Sequence, residues 1–180
     1  FDDIDRELAD SNAVFNYLQA INDLDHWSLD ENKTSIVENY MSFWKDIKKY
    51  YSQLSNHLLN ESKGYQGLIY KEAINNLESY INSNSNKLHI FLGFNALYGS
   101  ESVIIQELLQ SGVAKIYWDI DEATINSEYN SSGYYINQYI NSWPYYNSNK
   151  IDIMSNNYST QKNISVIGTA KNIGQAKYIG

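Results

Sequence analysis

Residues 87–121 decide the fold class of this 180-residue chain, and they read KLHIFLGFNALYGSESVIIQELLQSGVAKIYWDID. Residues 88–92 form a short apolar run, typical of a strand buried on both faces of a parallel sheet. Ser100 is placed to cap a helix that carries apolar residues at helical spacing, and Gly112 is placed to end it. Residues 115–118 form a second apolar run, so the stretch predicts a strand–helix–strand unit.

The same alternation continues towards the C-terminus. Residues 133–143 predict a short helix that ends near Pro144, and the polar segment from there to Lys162 predicts a loop. Residues 163–168 predict a third buried strand, and residues 174–179 predict the start of another helix. Strands that alternate with helices indicate an α/β fold with a parallel sheet and right-handed crossovers.

Residues 1–82 predict helices instead. Asp10 or Ser11 can cap a first helix, whose pattern breaks at residues 26–28. A long helix follows at about 30–61, with Trp44 on its apolar stripe, and a third helix is predicted at 68–81. Because residues 82–86 form a polar linker, the sequence predicts two parts, a helical subdomain at 1–82 and an α/β part at 87–180.

Composition excludes several classes of function. The absence of cysteine excludes disulfides, thiolate catalysis and cysteine-based zinc sites. No apolar run approaches the roughly 20 residues of a membrane span and no signal peptide is visible, so we expect no membrane partner and a cytoplasmic location. The net charge of −8 argues against independent DNA binding, which depends on positive charge. Since the chain begins and ends within apparent elements, we expect it to be a segment of a longer protein.

One acidic cluster follows the second predicted strand. Asp119, Asp121 and Glu122 lie where ligands bind in open α/β sheets, which would suit magnesium or a general base. The alternative, which we favour, is a solvated acidic turn that caps the next element. The chain has no phosphate-binding loop, and its three histidines lack the spacing of metal ligands. We therefore assign no catalytic, cofactor-binding or metal-binding residue.

The order of the motifs resembles a known family. HIFLGFNAL at 89–97, IQELL at 105–109 and IYWDID at 116–121 resemble a region of superfamily 1 helicases. They look most like the helicase-like half of AddB-type helicase–nuclease subunits, which are bacterial proteins of the PD-(D/E)XK nuclease family. The resemblance covers most of the chain, because further stretches match it, namely residues 1–8, 39–44, 63–73 and 172–180.

This resemblance implies a parallel sheet of the P-loop NTPase type, preceded by an N-terminal helical (1B-like) subdomain and truncated at the C-terminus of this chain. In active relatives the first strand ends in an Asp-Glu pair that holds magnesium and orients the attacking water. Gly93 and Phe94 stand at the matching positions and can do neither. The second strand leads into a γ-phosphate sensor that contains Gln, which residues 118–122 lack. Asp119, Asp121 and Glu122 then look like remnants of that sensor in an inactivated ATPase.

The resemblance also implies a function. We expect a scaffold within a DNA repair helicase–nuclease subunit, without cofactor and not an enzyme by itself. Its partners would be DNA, contacted through the full-length protein, and an AddA-like helicase subunit. Two alternatives remain open from the residues. One is a stand-alone Rossmann-like enzyme that acts on a small molecule through Asp119, Asp121 and Glu122, and the other is a protein-interaction module that docks through its helical half.

Overall fold

The computed structural model describes residues 1–27, 35–125 and 127–180. In these ranges the chain forms helices and three short strands. The helices are α1 (Asp2–Arg6), α2 (Ser11–Trp27), α3 (Ser35–Asn60), α4 (Gln66–Asn75), α5 (Leu77–Ser83), α6 (Gly99–Gln110), α7 (Glu122–Ile125), α8 (Tyr134–Ser142) and α9 (Asn172–Ile179). The strands are β1 (His89–Leu92), β2 (Ala114–Asp121) and β3 (Ile153–Ser155).

The strands lie side by side in chain order, β1-β2-β3, and both neighbouring pairs are parallel. His89 pairs with Ala114 at the start of β1, and Trp118 pairs with Ile153 across β2 and β3. Helix α6 connects β1 to β2, and α7 and α8 lie between β2 and β3. The predicted α/β class with a parallel sheet is therefore confirmed, and so is the strand–helix–strand unit at 87–121.

The predicted position of the third strand is wrong. Residues 163–168 form no strand, and Val166 is 93% exposed. The strand that pairs with β2 is β3, which lies within the segment predicted as a loop. Hydrophobicity identifies an apolar run but not the strand that it pairs with. Strand β3 is held at the end of β2 by a hydrogen bond from Ser155 to Asp121, which a hydrophobic pattern does not reveal.

The core lies on one face of the sheet. Ile116, Trp118 and Ile120 alternate along β2 and are all buried there. Helix α6 contributes three apolar residues to this core, Ile105, Leu108 and Leu109, and α8 contributes Ile136 and Tyr139. The rings of Trp118 and Tyr139 stack with centroids 5.5 Å apart, and Tyr139 stacks on Trp143 at 4.9 Å. The core role predicted for Trp118 is thus confirmed.

The opposite face of the sheet is open, which corrects the prediction of a β1 buried on both faces. Leu88, Ile90 and Leu92 are 55%, 56% and 62% exposed, respectively. Lys115 and Asp119 of β2 are exposed as well, so the alternating residues of both strands mark one uncovered surface. Parallel sheets are usually covered by helices on both faces, and none of the described helices covers this one.

The helical half differs from prediction at one break. The helix predicted at 68–81 is divided into α4 and α5 at Asn76, whose side-chain amide donates to the carbonyl of Glu72 at 2.8 Å. Asparagine competes with helical hydrogen bonding in this way. The end of the long helix is confirmed at Asn60, whereas its predicted start lies outside the described residues. The side chains of His26 and Trp27, where the pattern of the first helix breaks, also lie outside the described part of the structure.

The predicted helix caps are half right. Asp10 caps α2, since its Oδ1 accepts from the backbone of Asn12 at 2.9 Å and of Ala13 at 3.3 Å. Ser100, by contrast, is buried in the first turn of α6, which begins at Gly99. Tyr98 occupies the capping position, and its backbone nitrogen donates to the carboxylate of Glu101 at 3.0 Å.

The helical and α/β parts touch where α1 and α4 pack on α6 and where α5 reaches the core beneath the sheet. Leu77 belongs to the core beneath the sheet, and Ile81 packs against that core. The last helix before the predicted linker therefore helps to cover β1 and β2, while the division into 1–82 and 87–180 stays a prediction.

Gly67 allows α1 to lie directly on α4. A Cβ at this position would come within 2.2 Å of the backbone oxygen of Asp2 and 2.8 Å of the backbone nitrogen of Arg6. We expect Gly67→Ala to lower the free energy of unfolding by about 2 kcal/mol, because overpacking outweighs the gain of roughly 1 kcal/mol in helix propensity. Urea unfolding followed by circular dichroism measures this. Gly168→Ala is the control, since nothing lies within 4 Å of its Cβ position; equal losses in both variants would contradict the contact.

Candidate functional site

The two strand ends that the resemblance singles out carry very different groups. Gly93 follows β1 directly and has a positive φ of 73°, a conformation that glycine adopts easily. Phe94 is 37% exposed, and its ring meets that of Phe91 edge-on with centroids 6.1 Å apart. Neither residue presents an oxygen or nitrogen side-chain atom, so these two positions at the end of β1 offer no side-chain ligand for a cation and no side-chain base.

Strand β2 extends past the end of β1. The last pair between the two strands joins Leu92 to Tyr117, whereas β2 continues to Asp121 alongside β3. The acidic cluster thus lies towards β3 and the loop after it rather than level with Gly93.

Asp121 is held by hydrogen bonds from the protein itself. Its Oδ2 accepts from the Ser155 hydroxyl at 2.8 Å and from the backbone nitrogens of Asn157 at 2.6 Å and Tyr158 at 2.9 Å. Its Oδ1 accepts from the backbone nitrogen of Ala123 at 3.0 Å and so caps α7. The carboxylate therefore ties the end of β2 to β3 and to the start of the next helix, as expected for an acidic turn that caps the next element.

Burial acts to raise the pKa of Asp121, but these hydrogen bonds outweigh it and lower the pKa to about 2. The donors come from Tyr158, Ala123, Ser155 and Asn157. Asp121 is therefore ionised at neutral pH with its lone pairs already engaged, which suits a structural carboxylate and not a proton acceptor.

The other two acids of the cluster point to different surroundings. Asp119 is exposed on the open face of β2, two residues before Asp121. Glu122 accepts a hydrogen bond from the side chain of Asn156 at 2.7 Å, which adds a second link from the start of α7 to the segment after β3. Sequence proximity thus does not make these three side chains a common ligand set.

Stability should depend on pH through Asp121. Because the folded pKa of about 2 lies below the ordinary 3.8, its contribution is complete above about pH 4 and is lost as the pH falls towards 2. We expect the difference in unfolding free energy between the wild type and Asp121→Asn to be constant from pH 7 to about 4.5 and to shrink below pH 4. Urea unfolding at stepped pH measures it, with Asp119→Asn as the exposed control. A difference that stays constant down to pH 3 would contradict this role.

A second cluster of polar side chains joins three helices. Asp5 of α1 is 1% exposed, and its carboxylate accepts from the hydroxyls of Tyr51 on α3 and Tyr65, which precedes α4. Lys71 of α4 donates to Asp5 at 2.8 Å and to the Tyr51 hydroxyl at 2.9 Å. We call these four residues the Asp5 cluster.

Aromatic rings shield the Asp5 cluster on one side. Phe1, Phe15 and Tyr51 contact one another, with centroids between 5.2 and 5.9 Å apart. Phe15 and Tyr51 are both buried, so the carboxylate has little contact with water. Lys71 extends from the cluster towards solvent, with 41% of its side chain exposed.

The hydrogen bonds of the Asp5 cluster fix the protonation states of its carboxyl group and its two phenols. Burial acts to raise the pKa of Asp5, but hydrogen bonds from Lys71, Tyr51 and Tyr65 hold it below its ordinary value. Burial and the hydrogen bond to Asp5 raise the pKa of Tyr65, and the same two causes lead for Tyr51. Both phenols therefore stay protonated as donors, and the cluster acts as a clamp rather than as an acid–base site.

Sequence reasoning missed the Asp5 cluster. Its members are separated by up to 66 residues, and no motif joins them. The local sequence gives one indication. Asp5 belongs to an acidic segment that precedes the helix carrying Phe15, but an acidic segment fits an exposed N-terminal turn equally well.

Within the described part of the chain, no three His, Asp or Glu side chains are grouped to hold a metal ion. No protein-family model, curated protein or solved structure matches this chain. No helix in the described ranges has both the length and the apolar character of a membrane span. The chemistry of the candidate sites therefore rests on their own geometry.

Proposed function

We propose that this chain is a scaffold part of a DNA repair helicase–nuclease subunit of the AddB type, with an ATPase core that has lost its catalytic acids. The motif order in the sequence suggests the family. The described fold agrees with it at the coarse level, because helices come first and parallel strands follow. The finer assignment, a P-loop NTPase core with a 1B-like subdomain, belongs to this proposal.

The open face of the sheet carries the scaffold proposal. Leu88, Ile90 and Leu92 are each more than half exposed at alternate positions of one surface. Exposed apolar patches of this kind mark surfaces that another part of the protein or a partner covers. A sheet that supports further layers is what a scaffold in a larger polypeptide requires.

The strand ends support the loss of catalysis. Gly93 and Phe94 stand where active relatives carry their two acids, and neither provides a polar side-chain atom. Asp121 engages its lone pairs with Ser155, Asn157, Tyr158 and Ala123, so a cation would have to displace several hydrogen bonds. We propose that this part has no cofactor and is not an enzyme by itself.

Charge supports an indirect contact with DNA. At a net charge of −8 the chain repels phosphate, so the positive groove would come from the rest of the full-length protein or from an AddA-like helicase subunit. Such a protein would work in the cytoplasm.

Calorimetric titration with Mg-ATP tests the proposal. We expect no binding heat at micromolar protein and no phosphate release. Micromolar affinity with turnover would overturn the inactive-core proposal. Phe94→Glu provides a comparison, because it supplies an acid at the end of β1 without straining the positive φ of Gly93 or touching the Asp121 contacts.

The open face also favours a second candidate, a protein-interaction module. In that case the partner would be a separate DNA repair protein rather than another part of the same polypeptide. Ile90→Glu distinguishes the two, because it charges the face without altering the buried side of β1. A full-length protein with this change that folds normally but loses its partner in a pulldown supports the module. One that fails to fold supports the scaffold.

A further inference from the structure

A pocket lies between the helical half and the first strand. Five apolar side chains line it, from α4, α5, β1 and α6: Ala73, Leu77, Phe91, Ile104 and Leu108. Its volume is about 420 Å³. An engineered cavity of about 150 Å³ already holds benzene, and ligand pockets commonly range from about 300 to 1,000 Å³. The space therefore suits a molecule with one or two fused aromatic rings.

Three polar side chains complete the lining, and the most informative is His89. Its Nδ1 lies 3.0 Å from the carbonyl oxygen of Val113, and the same oxygen accepts from the backbone nitrogen of His89 at 2.8 Å. A carbonyl only accepts hydrogen bonds, so Nδ1 carries a proton. In the neutral ring Nε2 is then the unprotonated nitrogen.

This tautomer fixes the role of Tyr80. Its hydroxyl lies 2.9 Å from Nε2 of His89, and because that nitrogen can only accept, the hydroxyl must donate to it. The oxygen of Tyr80 is then left with lone pairs and no proton for a ligand. The third polar group, the amide of Asn76, already donates to the carbonyl of Glu72 at 2.8 Å.

We propose that this pocket binds a small planar aromatic molecule with a single hydrogen-bond donor, which the hydroxyl oxygen of Tyr80 accepts. The apolar lining supplies the affinity and the Tyr80–His89–Val113 chain supplies the selectivity. A ligand that brings an acceptor to the same place leaves two lone pairs facing each other, which costs affinity. The site is separate from the strand ends and independent of the scaffold proposal.

Indole and benzofuran form the matched test, because their bicyclic shapes are nearly identical and only indole has an N–H donor. Titration of each into the intact chain, followed by NMR shifts of the methyl groups of Leu77, Ile104 and Leu108, reports binding in the pocket. We expect indole to bind about fivefold to tenfold more tightly, the effect of one net hydrogen bond.

The variant Tyr80→Phe removes the acceptor and keeps the ring. It is expected to lower the affinity for indole and, by removing the opposed lone pairs, to raise that for benzofuran slightly, so that the two affinities become equal. Tyr129→Phe is the control, because Tyr129 is 98% exposed and does not line this pocket. Equal affinities of indole and benzofuran for the wild type would overturn the proposal, as would a lack of shifts in the pocket methyl groups. The comparison of indole with benzofuran on the wild type tests the proposed site even if a variant does not fold.

Discussion

Replacing Trp118 with alanine is expected to lower the free energy of unfolding by about 4 kcal/mol. The side chain is 1% exposed, stacks on Tyr139, and donates from its indole nitrogen to the hydroxyl of Tyr146 at 2.7 Å. Alanine would leave a large cavity at the centre of the core and a part-buried hydroxyl without its donor. Urea unfolding followed by far-ultraviolet circular dichroism measures the loss without relying on tryptophan fluorescence.

Tyr117→Ala is the matched control for Trp118→Ala. Tyr117 is the preceding aromatic residue on β2, but it lies half-buried on the open face of the sheet. Its removal should cost about 1 kcal/mol. Comparable losses at both positions would contradict the assignment of the core to one face of the sheet.

Asp5→Ala is expected to cost about 3 kcal/mol, the low end for breaking a buried ion pair. The substitution leaves the buried hydroxyl of Tyr51 without its acceptor, while Lys71 can turn its partly exposed ammonium to water. Thermal and urea unfolding measure the loss. Because Asp5 clamps α1 to α3 and α4, hydrogen exchange should rise in α1 before it rises in the sheet.

Two variants make the test of Asp5 specific. Asp3→Ala lies in the same helix with an exposed side chain and should change stability by less than about 0.5 kcal/mol. Asp5→Asn keeps one accepting oxygen and should lie between alanine and the wild type. A loss from Asp3→Ala as large as that from Asp5→Ala would show that helix α1 matters but its buried carboxylate does not.

The sequence predicts those parts of the fold that depend on local patterns. Strands β1 and β2, helix α6 and the cap at Asp10 all follow from residues that are close in the chain. Even the open face has a local signal, because charged residues and Tyr117 alternate with apolar residues along residues 115–121. The many apolar residues in the two strands favour burial on both faces instead, and this signal conceals the alternation.

The candidate sites could not be predicted in the same way, because their partners are distant. The position of Asp121 after a strand identifies it as a candidate, but its role depends on Ser155 and Tyr158, more than 30 residues later. The Asp5 cluster combines residues from separate helices that show no common motif. The wrong strand at 163–168 has a related cause, since an apolar run becomes a strand only beside a neighbour with free backbone groups, and β3 already occupies that edge of β2.

The sequential order of the strands has a consequence for how the chain folds. Each described sheet pairing joins a strand to the next one along the chain, β1 with β2 and β2 with β3, so neither pairing has to wait for a distant segment. The crossover connections, residues 93–113 and 122–152, are longer than hairpin loops, but the entropic cost of closing a loop grows only slowly with its length. The sheet can therefore grow strand by strand as the polypeptide leaves the ribosome, and the first core contacts can form as soon as β2 emerges behind β1 and α6.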